Sequence, residues 1–523
     1  MTSDTLVARR RPTLTEHRAV LLACGIVYLA VALWFWHNQV IPSDSTSRLA
    51  NAYYTLFSRD PHLAAVGFVW NPLPSLILLP FLPLKVLLPA LTQQSLLAPL
   101  VSAAFMTATV GVVHDLLRRM TLTRTPRLIL TAAFALNPMT VLYAGNGMSE
   151  ACFLLFLLLA TRALYQWLTV RKVESLVPAG LAIALAYGAR YEALAPVVAL
   201  PVVVALVTWR LGGTGSRAAL ARVDAVIAGL PGVLAVVLWA VASKIIVNQW
   251  FATFSSEYGN SAQVSSGSTG ISSVTGDDLG GRLAYWSQQW LGLAPLLLVL
   301  LVLAAILAWR ARNPGILAPV TILGSVLAFD ALAFLTGMSF GWLRFQITLI
   351  PLGVLLAGHV LATWRPLGTA RVAVTLTLAL LAIPSTLYTL TQPELAREES
   401  EYVTAAGSAR RSDLARVDAR VAADLDAMNL PDGAVLADAA VAYGVILASD
   451  HPHGFVTTPD RDFPGAVTDP RGHNIRYLLL SADAPTDAVR TGRYGPDAAS
   501  VPVTGVRTWS DAYGNLQWTL IAA

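Results

Sequence analysis

The sequence predicts a polytopic all-α membrane protein of about 11 transmembrane helices, with a small C-terminal extracytoplasmic α/β domain. Three observations predict it. The 523 residues are 55% hydrophobic and only 13% charged, and the mean hydropathy is +0.59. A soluble protein carries about 25% charged residues, so this chain has too little polar surface to cover a globule in water. Apolar runs of about 20 residues, enough to cross a hydrocarbon core about 30 Å thick, recur up to Leu390. From Gln392 onward the composition turns polar and charged. A secreted or cytosolic enzyme is excluded, and so is a disordered chain. The two cysteines, Cys24 and Cys152, lie in apolar runs and make no disulfide framework.

In chain order, the candidate spans are 18–37, 95–117, 126–144, 150–169, 177–189, 192–209, 223–246, 289–309, 315–336, 344–363 and 370–390. Basic residues favour the cytoplasmic side of short loops. They collect at Arg9-Arg10-Arg11, Arg118 to Arg127, Arg162 to Lys172, Arg210 to Arg222, Arg310 with Arg312, and Arg365 to Arg371. These are alternate connections, so the N-terminus is expected in the cytoplasm and the C-terminal domain outside a cell (plasma) membrane. The first span reads as a true span rather than a cleaved leader. Residues 72–91 contain five prolines and Lys85. Proline removes a helix donor, so this stretch is expected as juxtamembrane helices in the outer interface, within a first outer loop spanning 38–94.

Residues 1–391 are thus expected as a transmembrane domain and 392–523 as an extracytoplasmic α/β domain. In the latter, 405–428 has helical periodicity at Leu414, Val417, Val421, Leu425 and Met428. Short apolar runs follow at Ala434–Leu436, Val441–Leu447, Tyr477–Leu480 and Trp518–Ile521. Their strand order is not readable from sequence.

Charges beside membrane helices are costly and usually mark a site. On the outer side they are Asp44, Arg48, Arg59, Asp60 and His62 in the first loop, then Glu150, the Arg190-Tyr191-Glu192 turn, Lys244, Asp330 and Arg344. Bland readings accompany several. Asp44 suits a helix cap, Glu150 a helix N-terminus, Arg190 and Glu192 a mutual pair, and Asp330 a partner for Lys244. Trp34, Trp36 and Trp286 suit an interface belt. Asp277-Asp278 suits a turn, and Asp450 with His451 and His453 lacks a further ligand cluster.

Several of these segments carry a resemblance. Asp44-Ser-Thr-Ser-Arg48 with Tyr53-Tyr54, directly after the first span, resembles the opening loop of the polyprenyl-phosphate-sugar glycosyltransferases of the GT-C superfamily, such as the bacterial protein-mannosyltransferase-like and aminoarabinose-transferase-like families. Asp60-Pro-His62, Trp70-Asn71-Pro72-Leu73-Pro74, Asn137-Pro138, Gly147-Met148-Ser149-Glu150, Gly188-Ala-Arg190-Tyr191-Glu192 and Arg344-Phe345 resemble its later motifs in order. Trp70 and Asn71 stand where the family often has an acidic residue and a lysine.

The resemblance implies a GT-C-like fold and an inverting transfer of a sugar, mannose or arabinofuranose, from a polyprenyl-phosphate donor. The acceptor would be a cell-envelope glycan, glycolipid or protein at the outer face of the lipid bilayer. It implies Asp44 as catalytic base, since a base must reach the acceptor hydroxyl. Arg344, Arg190, Arg48 and Lys244 become donor-phosphate contacts, the arginines favoured by their bidentate geometry. Glu150, Tyr191, Glu192, Asp60 and His62 become sugar contacts. No metal site is expected, although a divalent cation is left open as cofactor, and no nucleic-acid partner is expected. The rival class is a polytopic transporter or lipid flippase; a third reading is an envelope scaffold with a degenerate site.

Overall fold

The computed structural model describes residues 14–211, 216–256, 259, 264, 275–276, 278–364, 368–482, 487–495 and 505–523. Arg9-Arg10-Arg11, Arg365, Asp277 and residues 265–274 lie outside the described residues.

Eight helices among the described residues are long and apolar enough to cross a membrane: Thr15–His37, Leu97–Arg119, Glu150–Val170, Tyr191–Arg210, Arg217–Val247, Pro314–Leu335, Leu343–Thr363 and Thr369–Leu390. Two bent pairs raise the number to 10 if each is one span. The expected span at 126–144 is broken into Arg124–Ala135 and Pro138–Gly145, bent by 58°. The expected span at 289–309 is Leu279–Leu293 followed by Leu297–Ala311, bent by 75°. Proline explains both breaks, because it lacks an N–H and pushes the preceding residue out of the helical region. Ala294, just before Pro295, accordingly has φ −151° and ψ 70°. Asn137, before Pro138, is extended and caps the next helix through Met139 N. The helix at the expected span 177–189, Leu176–Ala189, has only 14 residues. The described helices therefore give 8 to 10 crossings where 11 were expected.

The proline-rich stretch forms no regular span. It folds as a six-residue helix, Leu73–Leu78, a 3-10 turn, Leu79–Val86, and a four-residue helix, Ala90–Gln93.

The first helix, Leu14–His37, separates two charged regions. Its 24 residues rise about 1.5 Å each, or roughly 36 Å. At its start Glu16 meets His114 at 3.1 Å, Arg124 at 2.9 Å and Arg127 at 2.6 Å. Asp115 there binds Arg119 at 2.7 Å and Arg162 at 3.0 Å. Just beyond its other end stands Asp44. The basic connections and Asp44 thus lie at opposite ends of the helix.

The C-terminal residues fold, as expected, into helices and a five-stranded sheet. Strands β1 (Val435–Ala437), β2 (Phe455–Thr457), β3 (Tyr477–Ser481), β4 (Arg507–Ser510) and β5 (Leu516–Ala522) lie in the order β2-β1-β3-β5-β4. The first three are mutually parallel; β5 runs antiparallel to β3 and β4. Strand alternation sends Val435, Ala437 and Leu479 to one face and Leu436, Leu478 and Leu480 to the other. The first face packs on Val417, Val421 and Leu425 of helix Ala405–Ala427, and that core runs on into Leu49, Tyr53 and Tyr54 of helix Ser43–Phe57. The sheet and the segment after the first helix therefore share one hydrophobic core.

Trp286, expected in an interface belt, is buried against Phe334 with ring centroids 5.7 Å apart. Asp278 is the turn residue expected of it: its carboxylate accepts from Gly280 N and Gly281 N at the head of helix Leu279–Leu293.

Candidate active site

Asp44 sits in the first turn of helix Ser43–Phe57, just after Pro42, and Arg48 follows one turn later on the same face. Opposite them Arg344 enters on the short turn Leu343–Gln346 and is 3% exposed. A buried guanidinium must be paired, and this one is. Its Nη2 donates to Asp44 Oδ2 at 3.2 Å, and its Nη1 to Glu398 Oε1 at 2.9 Å. Its Nε lies 3.8 Å from Glu150 Oε1. Glu150 accepts in turn from Arg190, whose Nε donates to Glu192 Oε1 at 2.8 Å. Asp44, Arg344, Glu150, Arg190 and Glu192 form one continuous chain of alternating charge.

Gly147 brings these parts together. Its φ is +81°, in the left-handed region that favours glycine. A Cβ there would fall 2.1 Å from Ser45 Oγ. The turn leading to Glu150 can therefore press against the residue beside Asp44.

Arg48 differs from the other two arginines. It is 6% exposed, and its Nε and Nη1 are buried without a hydrogen-bond partner among the described residues. Its guanidinium lies 4.6 Å above the ring of Trp70. All three arginines line one small cavity, together with Trp70, Tyr191, Trp342 and Phe345. Unsatisfied N–H donors in an aromatic-walled space are suited to an anion with several acceptor oxygens.

A second space, a cleft of about 1930 Å³ open to solvent, lies between the first loop and the C-terminal sheet. Asp44 and His62 line it, as do Tyr443 and Arg461. Asp44 keeps 23% of its side chain exposed, and Trp70 borders both spaces. The carboxylate therefore stands where the arginine cavity and the cleft meet.

Two carboxyl groups on Arg344 titrate in opposite directions. Burial raises the pKa of Asp44, but the charges of Arg344 and Arg48 outweigh it and hold the group below its ordinary value. Burial likewise raises Glu398; Arg344 only partly offsets it, while Glu399, Asp44 and Glu150 add to the rise, and it is pushed up to about 8. At neutral pH Asp44 is ionised and Glu398 carries a proton.

The remaining expected site residues are placed as follows. Tyr191 lines the arginine cavity with its ring 5.2 Å from that of Phe254. Glu192 and Glu150 are buried and engaged by Arg190 through Oε1, while Oε2 of each has no hydrogen-bond partner among the described residues. Asp60 faces the C-terminal unit: Arg461 N donates to its Oδ2 at 3.2 Å. Lys244 is not brought into the cluster. Its Nζ donates to Asn248 O at 3.1 Å and Oδ1 at 2.7 Å, capping its own helix, and so it does not pair with Asp330. Asp330 is buried and lies in the field of Glu192 and Arg190. Trp509 and Trp518 are buried as a cross-strand pair, with indole N–H groups donating to Asp424 and Asp418. Among the described residues no group of three His, Cys, Asp or Glu is arranged to hold a metal ion.

Sequence reasoning missed Glu398 and Glu399, the latter accepting from Tyr143 at 2.8 Å. Both follow the last apolar helix and read as the start of a polar domain. The available signal was their position: they are adjacent carboxylates within about eight residues of the C-terminal end of that helix.

No protein-family model and no curated protein sequence matches the chain. Among solved structures it is similar to the archaeal oligosaccharyltransferase AglB from Archaeoglobus fulgidus in complex with an inhibitory peptide and a dolichol-phosphate. The TM-score is 0.42 at 12% identity, covering 96% of this chain and 74% of that one. It is also similar to the Archaeoglobus fulgidus oligosaccharyltransferase tethered to an acceptor peptide containing the NVT sequon. Here the TM-score is 0.41 at 11% identity, covering 97% and 74%. Similarity at this level fixes neither residue correspondence nor activity.

Proposed function

We propose that this chain is a multi-pass membrane glycosyltransferase of GT-C type. It moves a sugar, mannose or arabinofuranose, with inversion from a polyprenyl-phosphate donor to a cell-envelope glycan, glycolipid or protein at the outer face of the membrane. The observation that carries this reading is the placement of ionised Asp44 between the arginine cavity and the open cleft.

In this reading the donor phosphate occupies the cavity and the acceptor hydroxyl enters from the cleft. The acceptor oxygen forms a bond to the anomeric carbon as the bond from that carbon to the phosphate oxygen breaks. The hydroxyl proton passes to Asp44, and the electron pair leaves with the polyprenyl phosphate. The departing phosphate gains one negative charge. Arg48 and Arg344 are fixed where that charge develops, so they stabilise the transition state more than the ground state. Asp44 suits the base role because it is ionised at neutral pH and takes the proton as the hydroxyl becomes acidic in the transition state.

The orientation belongs to the same proposal. The basic connections lie at the end of the first helix remote from Asp44, and basic loops favour the cytoplasm. A transporter would place paired polar residues near the bilayer midplane; here the chain of ion pairs gathers at helix ends, on Glu150, Arg190 and Arg344.

Comparing lipid extracts of wild-type and deletion membranes tests the reading. A polyprenyl-phosphate sugar should accumulate in the deletion strain, and unchanged donor pools would reject it.

A further inference from the structure

On the other side of helix Ser43–Phe57 from the first cleft lies another large one. It is about 1710 Å³, open to solvent, and the reaction proposed above does not use it. Its floor is the end of the first helix and the Gln93–Ser95 turn; its roof is helix Ala405–Ala427 with the end of strand β5. Without the open solvent each cleft is the size of one small-molecule pocket, so only the two together exceed what one small ligand needs. The two clefts share Ser43, Val441 and Tyr443 as lining residues. They are therefore neighbours divided by a closed contact, where Tyr443 is hydrogen-bonded to Ser43 and Arg411 Nη1 donates to Ser43 Oγ at 2.7 Å.

The chemistry of the lining is particular. Trp36 is half-buried, and its Nε1 donates to Gln94 Oε1 at 2.9 Å, which fixes the ring and leaves the exposed Gln94 amide nitrogen facing outward. Gln517 adds a second amide. Arg416 is exposed and has no partner among the described residues. Asp418 accepts from Trp518 Nε1 at 2.9 Å through one oxygen. Planar amide, guanidinium and carboxylate groups donate and accept in pairs, which matches vicinal hydroxyls. Aromatic faces cover the C–H faces of a sugar ring. An acyl chain would require an apolar wall, and an added peptide strand would require a free sheet edge, which lies elsewhere on β2 and β4.

We propose that this second cleft is a saccharide-binding site continuous with the acceptor cleft. The acceptor is then an oligo- or polysaccharide that crosses outside the Ser43–Tyr443 contact, along the solvent-open sides of both clefts, with its terminal hydroxyl at Asp44 and earlier sugars against Trp36 and Arg416. The continuity rests on the transferase reading above; the saccharide site itself does not. Because the floor is the end of a spanning helix, the bound glycan runs along the membrane surface.

The test uses the full chain in nanodiscs, without donor, titrated with manno-, arabino-, galacto- and gluco-oligosaccharides from disaccharide to octasaccharide. Calorimetry and tryptophan fluorescence read the binding. For at least one series, affinity should rise about tenfold or more between the shortest and longest members. Ala419→Trp, which fills the cleft from its exposed rim, and Arg416→Ala should each remove most of that gain while the melting temperature stays near wild type. Length-independent binding, no binding in any series, or a length dependence untouched by both substitutions overturns the proposal. Length-dependent binding by a protein that transfers no sugar supports the saccharide site and refutes the transferase reading alone.

Discussion

Asp44 and Arg344 lie 300 positions apart in sequence and 3.2 Å apart in space. That one hydrogen bond ties the first outer loop to the late turn Leu343–Gln346, and the second N–H group of Arg344 ties both to Glu398 beyond the last apolar helix. The site is thus assembled from the beginning, middle and end of the membrane-embedded portion.

Asp44→Asn keeps the shape of the side chain and removes its ability to accept a proton. Transfer should fall on the order of 10²–10⁴-fold, with donor affinity little changed. Initial rates and donor binding measured on the same preparation check it.

Arg48 is the cation with donors to spare, so it should report donor binding most directly. A hydrogen bond to a charged group contributes about 1.5–3 kcal/mol, so Arg48→Ala should weaken donor binding roughly ten- to hundredfold. Arg48→Lys should fall between, because the charge remains but the forked geometry is lost. Unchanged donor affinity in both variants places the phosphate elsewhere.

Arg344→Ala removes the shared partner of Asp44 and Glu398. Breaking a buried pair costs about 3–5 kcal/mol, so this variant should lose stability as well as turnover. Arg344→Lys should recover much of the stability and less of the activity. Melting temperatures compared with rates separate the two effects.

Glu398 predicts a pH dependence of stability. Its carboxyl is raised from 4.5 to about 8 by burial and neighbouring carboxylates. A group raised in the folded state stabilises fully below its unfolded pKa and loses that contribution as pH rises through its folded value. Wild-type stability should therefore decline from about pH 4.5 towards 8 through this group, and Glu398→Gln should flatten that part of the curve. Identical curves for the two proteins would rule out this origin.

Much of this was legible in the sequence, for reasons that are local. Helices need apolar length, and Asp44 with Arg48 has the four-residue spacing that shares a face. The apolar runs at 434–436, 477–480 and 518–521 became β1, β3 and β5 because short apolar runs suit strands buried on both faces. What was hidden depends on tertiary contact. Glu398 reads as one of the opening charges of a polar domain until Arg344 is seen beside it. Lys244 reads as an outer cation until its flexible chain is seen folded back on Asn248. The bend at Ala294 was signalled by Pro295, but the flanking apolar residues concealed it.

Orientation can be checked independently. The native cysteines sit within helices, Cys24 in Leu14–His37 and buried Cys152 in Glu150–Val170, so background labelling should be low. Tyr513 is 70% exposed on the C-terminal unit. In intact cells an impermeant maleimide should label Tyr513→Cys and spare Arg312→Cys; the reverse pattern would invert the topology.

The most direct measurement is sugar transfer by the purified protein in nanodiscs, supplied with polyprenyl-phosphomannose or polyprenyl-phosphoarabinofuranose and an envelope glycan acceptor. The account predicts an inverted product with one of these donors, its formation abolished in Asp44→Asn while that variant still binds donor. Product formation at the wild-type rate by folded Asp44→Asn, or no transfer from any polyprenyl-phosphate sugar, would contradict it.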